Sequence, residues 1–126
     1  MTDDRVVPLA ERLWARGDNA WDRGHLDEAE RLFRSAAEMG DPSAMDSLAT
    51  LLDETRRPDE AVVWYERALA AGNQTTAWNL AMHYVPLRNM DLYRHWMQKA
   101  AEFGEKDAIA EVKKFGDPQY MTELPF

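Results

Sequence analysis

Side chains that could carry acid–base or metal chemistry are present, but their spacing fits no catalytic or metal site. The histidines lie in different parts of the chain, without a cysteine or carboxylate at a metal-ligand spacing. They are His25, His83 and His95. Pairs of adjacent acids stand where a helix N-terminus favours negative charge: Asp3-Asp4, Asp27-Glu28 and Asp59-Glu60. Since no glycine-rich phosphate loop or nucleophile elbow occurs, we expect no enzyme, no cofactor and no metal.

The chain is acidic, and the charge is uneven. Its 126 residues carry a net charge of −8 and no cysteine, and residues 1–60 hold 15 acids against 8 bases. An acidic chain repels phosphate backbones, so we expect no nucleic-acid partner. It would attract a basic protein surface, although acidity that only keeps the protein soluble remains an alternative. No apolar run of about 18 residues occurs, and the acidic start at residues 1–4 differs from a secretory signal. We expect a cytoplasmic protein without a membrane span.

Three evenly spaced glycines, Gly40, Gly72 and Gly104, indicate an internal repeat with a period of 32. The segment 27–37 recurs at 59–69 and, less faithfully, at 91–101. Each copy has apolar residues at the spacing of a helix with one buried face. Glycine suits the left-handed position that ends a helix. We therefore predict a helix before each of these glycines.

A second helix is predicted between these helices. Leu48-Ala49 recurs as Leu80-Ala81. Asp41-Pro42 supplies an N-cap and a first-turn proline, and Pro58 and Asn89 mark later starts. Pro86 should end the helix at Val85 because proline cannot continue the hydrogen-bond ladder. No segment alternates as a strand does, so the sequence predicts an all-α fold.

Small residues recur where the helices of a hairpin must approach closely, opposite larger ones that fill the space. The small ones are Gly17, Ala49, Ala81, Ala29 and Ala61, and the large ones are Phe33, Tyr65 and Met97. Tyr93 and Lys113 depart from the pattern, since small residues stand there in earlier copies. We predict a third unit that packs differently, followed by a solvent-facing capping helix.

These residues resemble a known family. The phase Leu48-Ala49, Leu52, Ala61, Tyr65, Ala68 is similar to the tetratricopeptide repeat (TPR). The endings 64–68 with Gly72 and 96–101 with Gly104 resemble its Sel-like subclass. The resemblance implies one domain, 1–126, forming a right-handed superhelix of stacked antiparallel helix hairpins. The repeats would span about 10–41, 42–73 and 74–105, followed by a capping helix at 106–115 and a tail at 117–126. The apolar residues of the tail favour its folding over the last hairpin, with docking onto a partner or second subunit as the alternative.

In this family the first helix of each hairpin lines the inner surface. Projected onto this chain, that surface is acidic and aromatic, which favours a basic partner. Its predicted partner-binding residues are Glu11, Trp14, Asp18, Trp21, Asp46, Thr50, Asp53, Trp78 and Met82, with Val85 beside them. The lysines and asparagines with which some relatives capture acidic C-termini are missing at these places. Trp64 and Trp96 are predicted to be core residues.

Three functions fit this pattern. The first is a protein–protein interaction module, a scaffold or adaptor that binds a basic peptide or protein surface. The second is a bacterial immunity protein that neutralises a basic toxin through the same surface. The third is a structural homo-oligomer, although a monomer is favoured. The sequence does not identify the partner.

Overall fold

The computed structural model describes residues 7–116, and the expectations about the tail at 117–126 lie outside this range. Within it the chain forms seven helices and no strand, which confirms the all-α class. The helices are α1 (Leu9–Asp22), α2 (Leu26–Glu38), α3 (Pro42–Glu54), α4 (Pro58–Ala70), α5 (Thr76–His83), α6 (Met90–Glu102) and α7 (Lys106–Val112). None of them is both long and apolar enough to cross a membrane.

The chain divides into two compact units at the bond between Asn73 and Gln74. Unit 1 contains the hairpins α1–α2 and α3–α4, and α3 packs against both helices of the first hairpin. Unit 2 contains the hairpin α5–α6, with α7 packed on α6. The predicted pairing of consecutive helices is therefore confirmed.

The predicted helix starts are also confirmed. The Asp41 carboxylate accepts a hydrogen bond from the backbone N–H of Ala44 at 3.1 Å, with Pro42 in the first turn of α3. Helix α4 begins at Pro58. The Asn89 side chain accepts from the N–H of Leu92 at 3.1 Å, which caps α6.

The turns between the helices recur every 16 residues, half of the 32-residue spacing of Gly40, Gly72 and Gly104. At each turn one residue has positive φ: Gly24, Gly40, Arg56, Gly72, Arg88 and Gly104. Its N–H donates to the carbonyl three residues earlier, and the next N–H donates to the carbonyl five residues earlier. This Schellman pattern satisfies carbonyls at the end of a helix. The second acceptor is always the residue four before the positive-φ residue, and these acceptors are Ala20, Ala36, Leu52, Ala68, Tyr84 and Ala100.

The core of unit 1 depends on small residues that let helices approach closely. A Cβ built on Gly17 would lie 2.7 Å from two ring atoms of Phe33, a side chain with no exposed surface. Ala29, Ala49 and Ala61 are also fully buried. The predicted approach of a small residue to a large one is therefore confirmed for Gly17 and Phe33 in the first hairpin. Trp64 is buried, as predicted for a core residue.

Unit 2 is built around Tyr93, which is buried with Met97 against the alanines of α5, α6 and α7. The ring of Phe115 lies 6.5 Å from that of Tyr93 and packs on the same core, as does half-buried Trp96. Tyr93 thus occupies in the core a place that alanine holds in the first two copies. The third hairpin therefore has a core composition of its own.

Two helices of unit 2 are shorter than predicted. Helix α5 ends at His83, because Tyr84 and Val85 donate to carbonyls three residues earlier instead of four. Pro86 disfavours the helical conformation in the residue before it, which explains a tightened turn instead of an extended helix. Helix α7 ends at Val112, three residues before the predicted end, and only Ala108 on it is fully buried.

Candidate partner-binding face

Six of the predicted residues lie on α1 and α3, the first helices of the two hairpins of unit 1. Trp14, Asp18 and Trp21 are spaced by four and three residues on α1, so they share one face of that helix. The residues one period later share a face of α3 in the same way. Because α1 and α3 are in contact, we call these six residues the acidic aromatic face: Trp14, Asp18 and Trp21 with Asp46, Thr50 and Asp53.

The 32-residue repeat relates these residues in three pairs by sequence position, which we call rungs. Trp14 pairs by position with Asp46, and Trp21 with Asp53, so each outer rung has one indole and one carboxylate. The middle rung, Asp18 and Thr50, has no aromatic ring. Along each helix the outer rungs are seven residues apart, about 10 Å at 1.5 Å per residue.

The indole of Trp14 is held across the junction of the two helices. Its Nε1–H donates to the Ser47 hydroxyl on α3 at 3.0 Å, and the side chain is half-buried. A buried indole N–H needs such an acceptor. Ser47 was not predicted from the sequence. Ser47 directly follows Asp46 in the chain, so this hydrogen bond joins Trp14 to the α3 turn that contains Asp46.

Trp21 is fixed by an aromatic contact instead of a hydrogen bond. Its ring meets that of Phe33 edge-on, with centroids 5.7 Å apart and planes inclined by 75°. Phe33 is buried in the hairpin core, whereas Trp21 stays half-buried. The two tryptophans therefore hold fixed positions while keeping part of their surface accessible.

Tyr65, a buried residue of α4, forms a hydrogen bond with a polar residue of the face on α3. The Tyr65 hydroxyl donates to Thr50 Oγ1 at 3.2 Å, and Thr50 in turn donates to the Asp46 carbonyl at 3.0 Å. Burial raises the pKa of Tyr65 most, against the hydrogen bond with Thr50, and the negative charges of Asp53 and Asp46 raise it further. Tyr65 therefore stays protonated at neutral pH.

Helix α3 presents negative charge without positive charge. Its residues include Asp46, Asp53 and Glu54 but no lysine or arginine. Asp46 and Asp53 are half-buried, while Asp18 on α1 is exposed. Partly buried charges are screened less by salt than fully exposed ones. The face is thus suited to attract a cationic group and to bind it close to apolar surface.

The remaining predicted residues lie apart from these six. Glu11 is exposed in the first turn of α1. Trp78 and Met82 lie on α5 in unit 2, where Trp78 packs against the core and Met82 is 40% exposed. Val85, beside them, is half-buried in the turn after α5. The roles of these residues in binding stay predictions.

An ion-pair network joins the second helices of the two hairpins in unit 1. Arg34 on α2 donates to Glu30 at 3.1 Å and to Glu60 on α4 at 2.7 Å. Arg57, immediately before α4, also donates to Glu30. The hydrogen bond from Arg57 is the largest influence on Glu30 and lowers the pKa of that carboxyl, against the effect of burial. The network connects two hairpins whose first helices carry the acidic aromatic face.

In the described part of the chain, no group of three or more histidine, cysteine or acidic side chains is placed to hold a metal ion. The buried histidine of α5, His83, makes an edge-on contact with Tyr84 at 4.8 Å. The chemistry that the acidic aromatic face can offer is binding through apolar contact and charge.

Comparison with known protein families gives a match to the second hairpin. Residues 43–75 match the family model of the tetratricopeptide repeat. This segment contains nearly all of α3 and the whole of α4, the hairpin that contributes Asp46, Thr50, Asp53 and Tyr65. The match supports the resemblance to TPR proteins and, with it, a general role in protein–protein interaction. No curated protein matches the chain.

Proposed function

We propose that this chain is a non-catalytic interaction module of the TPR family, Sel-like in its hairpin endings, and that its acidic aromatic face binds a basic peptide or protein surface. The observation that carries the proposal is the hydrogen bond from Trp14 to Ser47. It holds a large, half-buried ring on one helix against Ser47, the residue that follows Asp46, on the next. TPR hairpins serve in general as surfaces for other proteins, and residues 43–75 match that family.

Aromatic rings supply the apolar part of this binding. Tryptophan contributes strongly at protein interfaces because it buries a large area at a small cost in conformational entropy. Trp14 and Trp21 are already restrained, by Ser47 and Phe33. Little further freedom is lost when a partner covers them, so more of the contact energy appears as affinity.

Carboxylates supply the electrostatic part. Residues 1–60 hold 15 of the 23 acids of the chain, which gives this part a balance of −7 out of the total of −8. Such a field accelerates encounter with a cationic surface. A basic partner therefore fits the face better than an acidic or neutral one.

The experiment uses a nona-arginine peptide as a basic probe and measures its affinity by calorimetry, together with thermal stability. We expect Trp14→Ala or Trp21→Ala to weaken binding about tenfold, equivalent to ~1.4 kcal/mol. Trp96→Ala on α6 is the matched control, because Trp96 is also a half-buried tryptophan but lies in unit 2. Lower stability with unchanged affinity in the Trp14 and Trp21 variants would show that these rings are structural only and would overturn the proposal.

The immunity and homo-oligomer alternatives also remain proposals. Light scattering that returns the 14.5 kDa mass of one chain would exclude the homo-oligomer. An immunity role would use the same acidic aromatic face, with a toxin domain as the basic partner. A cytoplasmic location and a single domain spanning 1–126 complete the proposal.

A further inference from the structure

We infer that residues 117–126 fold back onto α7 and cover a side of that helix on which Ile109 is exposed. In the second and third hairpins, the residue at the same place on the first helix is buried. The segment 117–126 takes, on α7, the place that the second helix has in those hairpins.

Helix α7 has the position of the first helix of a further hairpin. It begins two periods after α3 and packs on α6, as α3 packs on α2. The Glu105 side chain caps it by accepting from the N–H of Ala108 at 2.7 Å. The corresponding contact at the start of α3 joins Asp41 to the N–H of Ala44 at 3.1 Å. Both alanines are fully buried, so the two helices can be compared position by position.

One side of α7 is exposed where the corresponding helices are buried. Ile109 is 38% exposed, whereas Met45 and Ala77, at the same place on α3 and α5, are 6% and 0% exposed. Ala77 belongs to the core that α5 forms with α6, so this position faces the second helix of its own hairpin. Lys113, four residues after Ile109 and on the same face, is also exposed, where alanine is buried in both earlier copies. On α7 the side that a second helix would cover is therefore open.

The chain after α7 repeats the signal that starts α3. Residues 116–118 read Gly-Asp-Pro, as residues 40–42 do, and the φ of Gly116 is 94°, against 93° for Gly40. After Gly40 the chain forms a helix that packs back on the preceding one. Aspartate and proline are favoured at the N-cap and in the first turn. We therefore expect a short helix that returns along α7 and ends before Pro125, because proline disfavours the helical conformation in the residue before it.

The apolar residues of this segment suit the open side of α7. In a helix, Leu124 lies four residues after Tyr120 and three after Met121, so the three side chains share one face. Packing of that face on Ile109 removes apolar surface from water on both helices, which stabilises the contact.

Charge and local concentration favour this segment over a second copy of the chain. Residues 106–116 hold three lysines against two acids, and residues 117–126 hold two acids and no base. A segment joined directly to α7 is present there at an effective concentration in the millimolar range. A separate chain in dilute solution does not reach that concentration, so the segment covers α7 first.

The reactivity of an introduced thiol tests the cover, because the chain has no cysteine of its own. Alkylation by iodoacetamide is compared between Ile109→Cys and Leu92→Cys in the full chain, each relative to its rate in urea. Leu92 on α6 is 37% exposed and is thus matched to Ile109. We expect position 109 to react about tenfold more slowly than position 92, because the reagent reaches it only when the segment opens. Adding Met121→Ser with Leu124→Ser should raise the rate at position 109 to that at position 92 and leave the latter unchanged.

Two kinds of result would overturn the inference. Equal rates at positions 109 and 92, or a rate at 109 that does not respond to the two serine substitutions, would show that the segment does not cover α7. Protection of position 109 that increases with the concentration of the chain would assign the cover to a second copy.

A double-mutant cycle gives a second measurement without a thiol. Ile109→Ala should lower the melting temperature by about 4 °C, and by less when Leu124→Ser is already present, because the contact is then lost. Leu92→Ala is the control and should have the same effect with and without Leu124→Ser. Full additivity of Ile109→Ala and Leu124→Ser would contradict a contact between the segment and α7.

Discussion

The close packing of the first hairpin depends on the absence of a Cβ atom at Gly17. An added Cβ would meet the Phe33 ring at 2.7 Å and the Leu32 Cβ at 3.3 Å, and both residues are buried. In a helix, alanine is normally more favourable than glycine by about 1 kcal/mol. Overpacking of a core costs about 1–3 kcal/mol, so the steric effect should exceed the gain in helix propensity.

We predict that Gly17→Ala lowers the free energy of unfolding by about 1–2 kcal/mol, because the Phe33 ring must move. Urea unfolding of the variant measures this. The double variant Gly17→Ala with Phe33→Leu tests the cause, since the smaller side chain removes the clash. The two changes should be less than additive. Full additivity, or a stabilised Gly17→Ala protein, would show that the ring does not restrict this position.

Some residues of the candidate site could be predicted from their positions in the repeat, and others could not. Trp14, Asp18 and Trp21 recur by position in Asp46, Thr50 and Asp53, so periodicity alone predicts that the six share one face. Ser47 could not be found in this way. It lies far from Trp14 in the chain and has no signal of its own, because any small polar residue at that place can accept a hydrogen bond. Tyr65 was predicted as core packing, and its hydroxyl contact with Thr50 emerges only in three dimensions.

The backbone of the turns repeats with a period that the residue types alone do not show. Left-handed residues recur every 16 positions, but four of those six positions carry glycine and two carry arginine, Arg56 and Arg88. The sequence therefore displays a period of 32 through Gly40, Gly72 and Gly104, while the backbone repeats at half that distance. The hydrogen bonds of the turn involve only the main chain, so arginine can take the position at a cost in backbone strain.

We predict that Arg56→Gly raises the free energy of unfolding by about 0.5–1 kcal/mol, since a φ of 63° is costly for a residue with a Cβ and acceptable for glycine. The matched control is Gly40→Ala, at the preceding turn of the same unit. Nothing lies within 4 Å of a Cβ at Gly40, so only the backbone conformation opposes that change. Gly40→Ala should destabilise by about 1 kcal/mol in the same thermal melts, and a destabilised Arg56→Gly would refute the argument.

The ion-pair network of α2 and α4 should make stability depend on pH. Its carboxylate Glu30 has a pKa below the ordinary value of 4.5, chiefly because Arg57 donates to it. A carboxyl whose pKa is lower in the folded than in the unfolded chain stabilises the fold above that ordinary value. The contribution is lost as the pH falls through the folded-state pKa.

We predict that Glu30→Gln lowers the free energy of unfolding by about 1 kcal/mol at neutral pH, a modest value because the network is partly exposed. The difference from the unaltered chain should shrink as the pH falls below about 4.5. Glu38→Gln, an exposed acid on the same helix, is the control and should change little. A Glu30→Gln difference that is the same at all pH values would show that the effect is not electrostatic.

For the whole molecule, the repeated pattern predicted the arrangement of helices better than their ends. The all-α class and the paired helices follow from the recurring apolar residues and are confirmed. The early end of α5 depends on the tightened turn before Pro86, which helical periodicity does not encode. The role of Tyr93 in the core of unit 2 was predicted only as a departure from the repeat, because a pattern shows where a residue differs and not what it fills.

The concentration of acids in the first half of the chain predicts binding that weakens with salt. The net charge of residues 1–60 is −7. Its attraction for a cationic partner extends over a Debye length of about 10 Å at about 0.1 M salt and over a much shorter distance at higher salt. We expect the affinity for nona-arginine to fall steadily between about 0.05 and about 0.5 M salt. Affinity that does not change with salt would point to apolar contact alone.

The most direct test of the central claim compares two double variants that remove the same charge from different places. Asp46→Asn with Asp53→Asn alters the acidic aromatic face, while Glu38→Gln with Glu66→Gln removes two exposed acids from α2 and α4. Calorimetry with nona-arginine at low salt should show affinity reduced about tenfold or more in the first and nearly unchanged in the second. Equal losses in both would mean that the peptide senses only net charge and that the acidic aromatic face is not a binding site.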